Sequence, residues 1–337
     1  MSERLRVRRG GADEPRELPS RAAYRAAAER LAATSGAAPV ERTTRRAAAA
    51  AAHSAPGRAA LRQRSFLGTL KALDVLSTAG AQVSVRVCDL DSGEDILLGD
   101  DHLTLPVGGL GVVPLLIEVA AQIDAGTLNP LEIVERRSVE PVAVAGLWQH
   151  LKAPALPVSD LAVLAAAASD AWAANALLAR VGLDAVRARV EAIGLEHTAL
   201  LDGFRDVRGP DDAPQVALAS AGELAALFAA IVDARVVSPA VSAQVGEWLN
   251  LTQDLALAGA ATALDPFAHE DDRHHLLFVN KTGRADGIRA EAGAIAGPRA
   301  GAAYAMTVCF DDLSIAHRLR AHEAFRMLGV ELMEYVY

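Results

Sequence analysis

The chain has 337 residues, room for one large domain or two ordinary ones. Apolar residues make up 52% but aromatics only 4%, so Ala, Leu and Val must fill the core, and Lys71, Lys152 and Lys281 are the whole supply of lysine bases. The net charge of −9 is uneven: residues 1–64 carry fourteen Arg against six acidic residues, which leaves a strongly acidic remainder unlike a nucleic-acid-binding body.

Residues 1–60 read as a disordered, basic, Ala/Arg-rich extension without a strong apolar stripe. Arg45-Arg46 ahead of 47–52 faintly resembles a twin-arginine export signal. Six alanines make a weak apolar run, and the pair lies far from Met1, so the expected location is cytoplasmic, with export through this segment as the alternative. No uninterrupted run of eighteen apolar residues occurs, so no membrane span is expected.

The body, 61–337, opens with helical spacing of Leu61, Phe66, Leu70 and Leu73 up to Gly80. Alternating Val83, Val85 and Val87 predict a strand, and 95–98 its return after a turn at Asp91-Ser92-Gly93. Residues 106–111 are a Gly-rich loop, and Pro114 suits the first turn of a helix running to about Ala125. Residues 140–205 are rich in Ala and Leu and predict helix, broken at 154–157 and Gly194. Residues 203–215 read as an irregular loop. Ser220 and Glu223 form a capping-box pattern before 224–232, and Ser238-Pro239 starts a helix to Leu249. Strands are expected at 276–280, 290–296 and 303–311, then a closing helix over 314–330.

Strands near both ends and helices between predict an α+β fold: an antiparallel sheet flanked by terminal helices, plus an all-helical lobe at about 112–270. A cleft between the lobes is the natural place for a site. Cys88 and Cys309 each lie in a strand-like run. Two reduced thiols are expected, with one disulfide as the alternative.

Four short motifs stand in order. Leu105-Pro106 is followed by Ile123-Asp124-Ala125-Gly126, then by Ser169-Asp170 with Asn175-Ala176-Leu177-Leu178, and then by Lys281-Thr282-Gly283 with Gly287-Ile288-Arg289. Together they resemble the class A serine β-lactamases and the related penicillin-binding proteins over 61–337. The resemblance implies the two-lobed β-lactamase-like fold and a serine hydrolase family. It also implies that Ser169 and Lys281 face each other across the cleft.

The same resemblance exposes departures. No Ser in the chain has Lys three residues later. Counting back from Asp124-Ala125-Gly126, the family's nucleophile position falls on Gly109 and its base position on Val112. Neither residue can attack a carbonyl or take a proton. Ala171 replaces the amide of the Ser-Asp-Asn motif. The loop near Phe204 offers Asp206, Asp211 and Asp212 where the family has a deacylating Glu.

The expectation is therefore a pseudoenzyme that binds a small carboxylate ligand or a protein partner. Ser169, Lys281, Thr282, Gly283 and Arg284 would form the ligand site, with Arg289 able to add charge, and no cofactor is implied. Two other readings stand beside it. In one, Lys281 simply braces the lobes through Ser169 and Asp170; in the other, Ser169 with Lys281 is a rearranged catalytic pair in an active hydrolase, which needs a neutral lysine. The cluster His269, Glu270, Asp271, Asp272, His274 and His275 has poor metal spacing and reads as a polar loop. Gly108-Gly109-Leu110-Gly111 lacks the Lys-Ser/Thr of a phosphate loop. Trp148, Trp172 and Trp248 read as packing residues.

Overall fold

A computed structural model of the chain describes residues 66–337 except 144, 267–269, 272–274 and 312–313. The expected extension at 1–60 lies outside the described residues. Helix α1 (Leu67–Thr78) leads into strand β1 (Gln82–Asp89) and its hairpin partner β2 (Asp95–Gly99). The short strand β3 (Leu105–Pro106) precedes a 3-10 turn at Gly108–Gly111, which runs directly into α2 (Val112–Asp124). Pro114 stands in the first turn of α2, where its missing N–H costs no helical bond.

Beyond α2 the chain makes β4 (Ile133–Glu135) and β5 (Ala155–Pro157), then α3 (Val158–Ala167), α4 (Ala171–Val181) and α5 (Leu183–Ala192). The helix expected from residue 140 does not form. The described residues of 139–154 are irregular apart from a 3-10 turn at Trp148–His150. Proline and glycine at 141, 146 and 154 break the Ala/Leu pattern, and Trp148 packs as a buried residue from this irregular segment, its indole donating to the Ala153 carbonyl at 3.1 Å.

Next come β6 (Ala199–Leu200), β7 (Ala217–Ala219), α6 (Ala221–Val232) and α7 (Pro239–Leu249). Ser220 and Ser238 cap α6 and α7 as expected, accepting from the backbone N–H of Glu223 and Val241. The other half of the capping box is absent. The Glu223 carboxylate turns outward to the N–H groups of Glu196 and His197 and the Thr198 hydroxyl, tying the β6 approach to α6.

The chain ends with β8 (Glu270–Asp271), β9 (Leu276–Ala285), β10 (Ile288–Ala296), β11 (Gly301–Cys309) and α8 (Ile315–Val336). Strand β9 is longer than its apolar run suggested, continuing through Lys281-Thr282-Gly283, and α8 runs past residue 330.

The main sheet has the order β2-β1-β11-β10-β9-β8, every neighbour antiparallel, so the first hairpin joins the last strands through the pairing of β1 with β11. One of its faces joins Phe66, Leu73 and Leu76 of the first helical segment and Phe325, Leu328 and Leu332 of α8 in a core. The other lies on the helical lobe, whose core is built from Leu115, Leu116, Trp148, Leu161, Leu177 and Phe228. Alternation along each strand supplies both cores at once. Cys88 and Cys309 are free thiols, as expected. Among the described residues no helix is long and apolar enough to cross a membrane.

Candidate functional site

The helical-lobe wall is set by Asp170. This buried residue is the N-cap of α4: one carboxylate oxygen accepts from Ala173 N–H at 2.9 Å, the other from Leu147 and Trp148 N–H, each at 2.7 Å. These bonds lock the turn just before α4. Ser169 then takes a left-handed backbone, φ +51°, which is uncommon outside glycine. Its hydroxyl meets Lys281 Nζ at 2.5 Å. The resemblance brought these two residues together, and they do touch.

Strand β9 forms the opposite wall, and its alternation divides the work. Lys281 points to the helical lobe and is fully buried. Asn280, Thr282 and Arg284 point the other way. The Thr282 hydroxyl donates to Asp254 Oδ2 at 2.6 Å, and the Arg284 guanidinium donates to Asp254 Oδ1 and Oδ2 at 2.8 and 2.7 Å. The two side chains expected to bind a ligand carboxylate thus converge on a carboxylate of the chain itself. Sequence reasoning missed Asp254. It sits in a polar break after α7 with nothing in its spacing to mark it, and only the three-dimensional return of that segment to β9 reveals its role.

The segment is pinned at several points. Gln253 N–H bonds to the Ala167 carbonyl, the Thr252 hydroxyl to the Asn280 carbonyl, and the Asn280 amide to the Asp254 carbonyl. Beneath it Glu291, wholly buried, accepts from the Asn280 amide at 2.7 Å, the Tyr304 hydroxyl at 2.8 Å and Ala258 N–H at 2.6 Å.

Gly109 and Val112, the positions expected for the nucleophile and its base, lie in the 3-10 turn and at the first residue of α2. The turn lies backbone to backbone on β9. A Cβ on Gly108 would stand 2.6 Å from the Arg284 carbonyl oxygen, one on Gly109 3.3 Å from that of Thr282, and one on Gly283 1.9 Å from that of Val107. Gly108 also has φ +53°, so it needs glycine twice over. Val112 is buried in the helical-lobe core. Ala171 is buried in the first turn of α4.

Burial pushes the Lys281 ammonium down to about 8, the nearby Asp254 charge pulls it back up, and Arg284 pushes it further down. Burial and the neighbouring Arg284 and Arg318 also lower Arg289, against the opposite pull of Asp254 and Asp286. The Arg289 head donates to the Ala285 and Ile288 carbonyls.

Asp206 does not stand free in the 203–215 loop: both its oxygens accept from Ala143 N–H at 3.0 Å. Asp212 bonds to Arg205 and Gly209. A separate cavity of about 660 Å³, lined by Arg86, His102, His197 and Glu223, includes none of the cleft residues. The polar cluster at 269–275 falls mostly outside the described residues. Among the described residues no group of His, Cys, Asp and Glu is placed to hold a metal ion.

Comparisons with known proteins fit this architecture. A β-lactamase from Sphaerobacter thermophilus DSM 20745 superposes with a TM-score of 0.67 at 22% identity, covering 78% of this chain and 96% of that one. PBP-A superposes at 0.65 and 19%, over 79% and 95%. A chromosome-encoded β-lactamase mutant of Vibrio parahaemolyticus does so at 0.62 and 15%, over 80% and 100%. At these identities the likeness is one of fold. No curated protein matches the sequence. Residues 69–336 match the model of the β-lactamase enzyme family, and the chain belongs to that family.

Proposed function

We propose that this is a catalytically impaired member of its family whose cleft recognises the carboxylate of a small ligand. The observation that carries the reading is the convergence of the Thr282 hydroxyl and the Arg284 guanidinium on one carboxylate position, on the face of β9 opposite Lys281. Charge-assisted bonds of this type contribute roughly 1.5–3 kcal/mol each. Acyl transfer would need an attacking oxygen or sulfur with a base in reach. Gly109 and Val112 provide neither, and the glycine turn lies against β9 where an acyl group would have to be held.

A second reading has its own support. Lys281, lowered to about 8, holds the Ser169 hydroxyl at 2.5 Å, so a neutral fraction of the amine could act as base for that serine. A fluorescent penicillin separates the two. The impaired-enzyme reading expects no covalent adduct after prolonged incubation. An adduct that disappears in Ser169→Ala would replace it with the Ser–Lys hydrolase.

A further inference from the structure

We propose that Asp254 is a built-in competitor for the carboxylate site on the Thr282 face of β9: its carboxylate occupies the position that a ligand's carboxylate takes, and the ligand enters by turning the Asp254 side chain out. The inference rests on the carboxylate-binding reading above and adds how that site is controlled. Three features support it. First, Thr282 and Arg284 bind Asp254 with the bidentate, charge-assisted geometry that suits a free acid. Second, the backbone on both sides is fixed by the bonds from Gln253 to Ala167, from Thr252 to Asn280 and from Asn280 to the Asp254 carbonyl. The segment therefore stays in place while the side chain, bonded within its own loop, among the described residues, through Ala256 N–H at 3.2 Å alone, changes rotamer. Third, the Asp254 side chain keeps 22% of its surface exposed and Arg284 50%, so an incoming acid can reach the pair.

The balance of charge favours an anionic visitor. Arg284 is ion-paired with Asp254, and Arg289 feels the charges of Arg284, Arg318, Asp254 and Asp286. Turning Asp254 outward leaves cations in excess at the Thr282 side of β9. A ligand must repay the loss of the internal pair, so the apparent affinity of the intact chain is the intrinsic affinity reduced by the small fraction of molecules with Asp254 turned out.

The test is calorimetric titration of the full chain with benzylpenicillin and, in parallel, its methyl ester, which lacks the charged carboxylate. Asp254→Ala is expected to bind benzylpenicillin at least about tenfold more tightly than the unmodified chain, with Asp254→Asn between them. The ester should show no such change, and Asp254→Ala/Arg284→Gln should lose the gain. Equal binding of the acid by the unmodified chain and both variants overturns the competitor role and leaves carboxylate recognition standing. Failure of every form to prefer the acid over the ester overturns both. Should Asp254→Ala unfold, Asp254→Asn decides alone: it removes the charge, keeps the side chain's volume, and must still bind the acid more tightly than the unmodified chain.

Discussion

At the scale of single residues, the chemistry of this cleft turns on a lysine held between opposing influences. Lys281 is wholly buried with the hydroxyl of Ser169 as its partner and, among the described residues, no carboxylate bonded to it. Burial lowers its pKa to about 8, and the nearest compensation is the charge of Asp254, which Arg284 offsets. Removing each neighbour should therefore move Lys281 in opposite directions: Asp254→Ala below about 8, Arg284→Gln above it. With only three lysines in the chain, selective carbon labelling and an NMR pH titration would resolve this one. A Lys281 shift unchanged in both variants would mean that burial alone sets its protonation. The sign also bears on stability. Because the folded state binds this proton less tightly than the unfolded chain, Lys281 is a cost that is largest below about pH 8 and is relieved as pH rises toward its ordinary value of 10.5.

At the scale of elements, the decisive contact is the 3-10 turn laid on β9. Placing a serine and a lysine at the positions proposed for nucleophile and base, as Gly109→Ser/Val112→Lys, should not produce acylation. The new serine Cβ would stand 3.3 Å from the Thr282 carbonyl oxygen. The new lysine would begin in the apolar core that holds Val112, where an unpaired charge costs on the order of 3–5 kcal/mol. Urea unfolding should show that loss, and mass spectrometry after incubation with benzylpenicillin should show no added mass. Rapid acylation by the double variant would mean that the turn yields easily. Much of this was legible beforehand. Alternation at Val83, Val85 and Val87 announced β1, serines 220 and 238 announced two helix starts, and Ser169 with Lys281 did pair. What escaped was whatever depends on the chain returning to itself. The glycines at 108 and 283 are backbone contacts between segments far apart in sequence, and Asp254 gains its meaning only from β9. Residues 140–157 escaped for another reason: their Ala and Leu content resembles helix, but prolines and Gly146 forbid it, and Gly146 lies so close to Asp170 that any Cβ there would collide with it.

At the scale of the whole molecule, the sheet carries a buried polar network on the face that packs with the terminal helices, and that network predicts how stability responds to pH. Glu291 on β10 collects donors from Asn280 on β9, Tyr304 on β11 and Ala258 in the segment above them, so it ties three strands and a 3-10 turn together. Those donors favour the carboxylate, but complete burial outweighs them and raises its pKa from 4.5 to about 7. The folded state then holds the proton more tightly than the unfolded chain. The stabilisation is fully present below about pH 4.5 and is lost as pH rises through about 7, a change on the order of 3 kcal/mol. Other groups act against it over part of this range. Burial lowers His322, and ion pairs lower Asp202 and Glu132, so each of these favours the fold more as pH rises. The raw stability profile mixes these effects. The difference between the unmodified chain and Glu291→Gln isolates the one at issue, because only the titration of residue 291 is removed. Glutamine keeps an oxygen for Asn280 and Tyr304 but turns an N–H₂ toward the Ala258 N–H, so the variant should be less stable throughout. Its deficit should be largest near pH 4.5 and shrink as pH passes 7. Urea midpoints of both proteins across that range measure it, and a deficit that stays level or grows would mean Glu291 is ionised in the fold and braces the sheet as a carboxylate.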